Sequence, residues 1–137
     1  MPRIAVALLS LFVLTACSHF RSSGTKIVAP HSVPELYGAL HEAERLLGRT
    51  HRGGTIAVRF EEGSQLSHAR PWRGRWNSDY RGVALGQYEG RGNILLFTTA
   101  GQFRPETAIH EMAHAILDTH GIPWDQHHEI MRKAGVP

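Results

Sequence analysis

The sequence predicts a small α+β domain, and three observations lead there. Leu36, Leu40, Ala43 and Leu47 recur at helical spacing behind the capping-box pattern Ser32-x-x-Glu35. Two β-rich runs then flank Gly90-Arg91-Gly92, which reads as a hairpin. A second apolar-faced helical run follows Pro105, with Ile109, Ala113, Ile116 and Leu117 as its inner face.

In order, the first helix is expected over 33–47, with Pro34 in its first turn and Gly48 as its stop. Thr55 to Phe60 alternates and is rich in β-branched residues, so it is expected to form a strand. Residues 61–82 read as irregular. Strands over 83–89 and 93–99 complete a three-stranded sheet. The next helix starts at Pro105 and ends before Gly121 and Pro123. A short last helix is expected over 126–134, with Asp125 as its N-cap. No internal repeat or low-complexity tract is present.

Composition sets the outer limits. The chain has 137 residues, enough for one small domain. Hydrophobic residues at 42% and charged residues at 20% give an ordinary globular balance, without the signature of disorder. The net charge of +3 is too weak an excess to argue for nucleic acid as a partner.

The N-terminus is expected to be a targeting segment rather than part of the fold. Arg3 is followed by an almost unbroken apolar run from Ile4 to Val13, too short for a membrane span of roughly 20 residues. Leu14-Thr15-Ala16-Cys17 resembles a bacterial lipobox. That resemblance implies a signal peptide over 1–16, cleavage before Cys17 and acylation of Cys17, with Ser18 similar to an outer-membrane sorting signal facing the periplasm. Cys17 is the chain's only cysteine, so no intramolecular disulfide can form. Residues 17–31 are expected to be a tether and 32–137 the domain, acting as a monomer.

The chemistry concentrates in Ala108-Ile109-His110-Glu111-Met112-Ala113-His114-Ala115-Ile116-Leu117. A helix turns about 100° per residue, so His110 and His114 lie on one face and two imidazoles can converge on one ion. Glu111 sits beside the first of them, angled toward a metal-bound water rather than the metal. Ten histidines in the chain make a chance His pair a real competitor. The competitor is weakened by the marked helix, the hairpin before it and the further histidines after it.

A helix, a small sheet and then a helix carrying H-E-x-x-H resembles the zincin metallopeptidases. The stretch Val83 to Leu117 is similar to the core of minimal, SprT-like zincins, and the likeness covers roughly 33–135. The resemblance implies zinc, with His110 and His114 as ligands and Glu111 as general acid/base. The third ligand stays open. His120 has the spacing of the motif HExxHxxGxxH, but Leu117 stands where that motif has its helix-breaking Gly. If the helix runs on, His120 faces away. His127 and His128 lie in the first turn of the last helix. SprT-like zincins similarly draw a histidine from near the start of the following helix. His127 shares an inward face with Ile130 and Met131, and His128 is three before Met131. Glu129 is a further alternative.

Other features are less specific. Residues 68–82 interleave Arg with Trp72, Trp76 and Tyr80, either as a substrate-facing loop or as a loop pinned to the core. Asp118 is either a partner of a ligand histidine or a solvated helix residue. Tyr88 or Tyr80 could stabilise an oxyanion. The expected function is that of a membrane-anchored zinc peptidase acting on peptide or protein substrates. The alternatives are a non-catalytic metal-binding envelope lipoprotein and a hydrolase of peptidoglycan cross-links using the same site.

Overall fold

The structure, a computed structural model, describes residues 24–63 and 85–137. The lipobox with Cys17, the signal peptide, and the loop over 68–82 with Trp72, Trp76 and Tyr80 therefore lie outside the described residues. Among the described residues, no helix is long and apolar enough to cross a membrane.

Seven elements follow in order among the described residues: β1 (Thr25–Val28), α1 (Val33–Leu47), β2 (Gly54–Glu62), β3 (Gly86–Gly90), β4 (Asn93–Thr98), α2 (Pro105–Thr119) and α3 (Trp124–Ala134). The sheet has, among the described residues, four strands rather than the three expected, in the order β1-β2-β4-β3. The extra strand, β1, falls in the segment read as a tether. It pairs in parallel with β2, placing Ile27 opposite Ile56. β2 pairs in parallel with β4, and only the β3–β4 hairpin is antiparallel.

The helices follow from local chemistry. Pro34 and Pro105 sit in the first turns of α1 and α2, where a missing N–H costs nothing. Gly48 and Gly135 close α1 and α3 in the left-handed conformation, at φ 62° and 73°. Two caps differ from expectation. Ser32 is itself left-handed at φ 58°, and its hydroxyl lies 2.8 Å from His31 Nδ1 instead of capping α1. α3 starts earlier than expected, with Pro123 and not Asp125 as its N-cap.

The core lies between one face of the sheet and the helices. Leu36, Leu40 and Ala43 from α1 meet Ile56, Val58, Ile94 and Leu96 from the sheet and Ala108, Met112 and Ile116 from α2. Met131 joins from α3. Every residue of α2 from Glu111 to Leu117 is buried, because α1, the sheet and α3 enclose that stretch of the helix. The helix that carries the motif is thus the central beam of the domain.

A polar junction ties the end of α1 to β1. Buried Glu44 accepts the His51 N–H at 2.9 Å, and His51 Nδ1 lies 2.7 Å from Thr25 Oγ1. Burial holds the His51 imidazole below its ordinary pKa, against the pull of Glu44 and with help from His120. The stability consequence has a definite sign. The unfolded chain protonates this ring near pH 6.5 while the native state resists. Stability is therefore intact above about pH 6.5 and falls as pH drops from there through the lowered native value. The difference in melting temperature of metal-free protein between pH 7.5 and pH 5.5 should shift in His51→Gln toward greater relative stability at pH 5.5. An unchanged difference in the variant would remove His51 from the explanation.

Candidate metal centre

α2 and α3 bring three imidazoles together. His110, His114 and His128 each offer one ligand atom, and these atoms all lie within 4.8 Å of one another. The group can hold a metal ion. A tetrahedral ion with bonds near 2.0–2.1 Å needs nitrogens about 3.3 Å apart, so binding draws the set inward. His114 is buried and His110 half-buried, whereas His128 is exposed and free to adjust. An all-imidazole donor set, borderline in softness, suits zinc, copper, iron or nickel rather than calcium or magnesium.

His110 is oriented from behind. Its Nδ1 lies 2.7 Å from the Pro137 carbonyl oxygen. A carbonyl can only accept, so Nδ1 carries the proton and Nε2 is left with its lone pair. This is the arrangement by which outer partners fix a metal-binding imidazole. Nothing in the local sequence signals it, because the partner lies beyond α3 and reaches α2 only through the fold.

The remaining candidates fall elsewhere. His120 caps the end of α2, and its Nε2 donates to the Thr50 carbonyl at 2.8 Å, on the side of the α1 junction. With Leu117 the helix does run on, and His120 is turned away from His110 and His114. Glu129 pairs with Arg132 and Lys133 on the solvent face of α3. His127 does face inward as its spacing predicts and is only 1% exposed. It is not among the three grouped histidines. Its Nε2 lies 2.9 Å from the Ile122 carbonyl oxygen, and its Nδ1 lies 3.0 Å from His114 Nδ1.

Trp124, the first residue of α3, was not anticipated as part of the site. Its ring stacks on His114 with centroids 4.4 Å apart and planes at 23°, and it also neighbours Tyr88 and His127. At 38% exposed it lies between His114 and solvent. The available signal was its place in Gly121-Ile122-Pro123-Trp124, directly after the turn that aims α3 at α2.

Glu111 is 6% exposed and lies against β3. Burial pushes its carboxyl up to about 8, and a hydrogen bond from the Tyr88 backbone N–H pulls in the opposite direction. Burial also holds the His114 imidazole well below its ordinary value, reinforced by the neighbouring His110, His128 and His127. The metal-free centre therefore disfavours charge of either sign. A cation bound within a few ångströms of Glu111 would favour its carboxylate form.

Gly86 makes the contact between β3 and Glu111 possible. A Cβ there would come 2.6 Å from Thr107 Cγ2 and 3.0 Å from Glu111 Oε1. Gly86→Ala should displace the carboxylate and cost about 1–3 kcal/mol of stability through overpacking. Denaturant titration measures the cost, and metal titration should stay at the wild-type value because no ligand moves. A variant as stable as wild type would mean that the strand shifts freely.

Tyr88 and Asp118 have a joint structural role. The Tyr88 hydroxyl donates to Asp118 Oδ2 at 2.5 Å and accepts from Gly92 N–H at 2.9 Å. Asp118 also accepts the Arg91 N–H at 3.2 Å. Asp118 thus backs a tyrosine and the hairpin turn, not a ligand histidine. Tyr88 is 4% exposed with its hydroxyl committed, which removes it as an oxyanion donor. Comparison with protein-family models, with curated proteins and with solved structures finds no match for the chain.

Proposed function

We propose that the chain is a zinc-dependent peptidase of zincin type, with His110, His114 and His128 as ligands and Glu111 as general acid/base. The observation that carries the reading is the pairing of an open three-histidine group with a buried carboxylate on the same helix turn. A structural zinc site is closed by four protein ligands and needs no adjacent carboxylate. Three imidazoles with one exposed edge leave a position for substrate and water.

Zinc, when bound, polarises a scissile carbonyl and lowers the pKa of water. The protein residues supply the rest. His110 and His114 fix the position through the rigid α2 beam. Glu111 takes the proton of the attacking water and returns it to the leaving amine. The hydrogen bond from Tyr88 N–H and the close approach of Gly86 hold that carboxylate against β3. β3 is an edge strand of the described sheet, and an extended peptide can add to such an edge through main-chain hydrogen bonds. With the acylated Cys17 expected from the lipobox, the enzyme would work at the bacterial envelope on protein or peptide substrates.

The test is hydrolysis of unfolded protein and of purified cell wall by the zinc-loaded chain, with and without a chelator. Chelator-sensitive cleavage of protein supports the reading. Cleavage of cell-wall cross-links alone redirects the substrate. Metal binding without cleavage of either, unaltered by Glu111→Gln, overturns catalysis.

A further inference from the structure

The deepest histidine of the centre is not in the ligand group, and its hydrogen bonds have a direction. We propose that His127 is a positioning residue that locks His114 in the tautomer able to bind a metal. The inference rests on the metal-site reading above and concerns how that site is prepared.

The direction follows from what each atom can do. Ile122 O is a carbonyl oxygen and only accepts, so the proton of His127 sits on Nε2, 2.9 Å away. His127 is 1% exposed, and among the described residues no hydrogen bond or ion pair joins it to a carboxylate. A neutral imidazole carries a single N–H, and here the carbonyl takes it from Nε2. His127 Nδ1 therefore presents a lone pair to His114 Nδ1, 3.0 Å away. The hydrogen bond between them must be donated by His114. Its single proton is placed on Nδ1, and its Nε2 lone pair is left for the ion. The chain runs from Ile122 carbonyl to His127 to His114 to the metal position.

Local structure supplies the anchor. Pro123 is the N-cap of α3, and its carbonyl takes the Gln126 N–H at 3.0 Å. Ile122 lies one residue further out, so its carbonyl stands outside the helix ladder and is open to a side chain. His127 reaches it from the first turns of α3. Trp124 stacked on His114 at 4.4 Å limits rotation of the ring that receives this constraint. His110 has a parallel device in the Pro137 carbonyl at 2.7 Å. Both ligands on α2 are then presented through Nε2.

Two readouts test this. Long-range proton–nitrogen correlation spectra of the metal-free protein report which nitrogen of His114 carries the proton. The expected result is Nδ1–H in wild type and Nε2–H in His127→Phe, which keeps a flat ring but removes both hydrogen bonds. Cobalt(II) titration then measures affinity and ligand field. His127→Phe should weaken cobalt binding 10–100-fold while leaving the absorption bands of the saturated site in place. His127→Gln can still donate to one neighbour and accept from the other, and should recover part of that loss. Nε2–H at His114 in wild type overturns the proposal. So does His127→Phe binding cobalt within twofold of wild type. Loss of the cobalt bands at saturation in both His127 variants, with His128→Ala retaining them, would make His127 a ligand instead. If His127→Phe does not fold, the wild-type tautomer and the His127→Gln titration still decide. Failure of the peptidase reading is separable, because the tautomer is read without metal or substrate.

Discussion

If the chain is the zinc peptidase proposed above, Glu111→Gln should lower the rate of peptide hydrolysis by about 10²–10⁴-fold and leave zinc content at the wild-type level. The amide keeps the shape and can still accept from the Tyr88 N–H, but it cannot carry a proton between water and the leaving amine. The same substitution should stabilise the metal-free protein at pH 8. The native carboxyl is held at about 8 by burial, above its unfolded value near 4.5. A raised acid contributes its full stability below the unfolded pKa and loses it as pH climbs through the folded one. By pH 8 the wild type has incurred most of that loss, on the order of 2–4 kcal/mol, whereas an amide incurs none. The melting-temperature advantage of Glu111→Gln should therefore be small at pH 5 and grow toward pH 8. Zinc should shrink it by stabilising the charged form. A variant that is inactive yet no more stable at high pH would mean that the carboxylate is better solvated than its 6% exposure indicates. A variant with normal turnover would remove Glu111 from the chemistry altogether.

What could be read in the sequence was what short-range spacing encodes. The limits of α1 and α2 follow from apolar positions at helical intervals, a proline in each first turn and glycine at or just beyond each end. The hairpin follows from Gly90-Arg91-Gly92, where three successive positive φ values close the turn. β1 escaped because its information is not local. Thr25-Lys26-Ile27-Val28 buries only alternate residues, and it is a strand because β2 lies alongside, with α1 between them in the chain. The site divides in the same way. His110, Glu111 and His114 share one helix, so their grouping is intrinsic to the motif. The third imidazole depends on how α3 crosses α2, which no periodicity within α3 specifies. Spacing put both His127 and His128 forward, but the inward direction of His127 leads beneath the centre, to Ile122. His128, one residue on, is turned toward the open side where the ligand atoms gather. Asp118 was ambiguous for a related reason, since its partners Tyr88 and Arg91 come from the hairpin.

His128→Ala should lose tight zinc binding as His110→Ala and His114→Ala do, while His120→Ala keeps it. The three ligand variants differ in what else they disturb. His114 is buried at 2% exposure under Trp124, so its removal leaves a cavity in the centre as well as a missing donor. His110 loses its hydrogen bond to Pro137 along with its ligand atom. His128 is exposed, so truncating it removes a donor and little packing. Metal-free His128→Ala should therefore melt close to wild type, and its whole deficit should appear only when zinc is present. In wild type, zinc binding should stabilise the native state by RT ln(1 + [L]/Kd), about 4 kcal/mol at a thousandfold excess over Kd. Most of that increment should vanish in His128→Ala. His120→Ala should behave in the opposite way. It breaks the bond to the Thr50 carbonyl at the α1 junction and lowers stability by about 1 kcal/mol with or without zinc, leaving the zinc increment whole. Thermal melts of each variant with and without zinc, beside metal content by elemental analysis, separate the two patterns. A full zinc increment in His128→Ala would exclude that residue as the third ligand and return the choice to His127. A lost increment in His120→Ala would mean that the end of α2 unwinds to bring that ring to the metal.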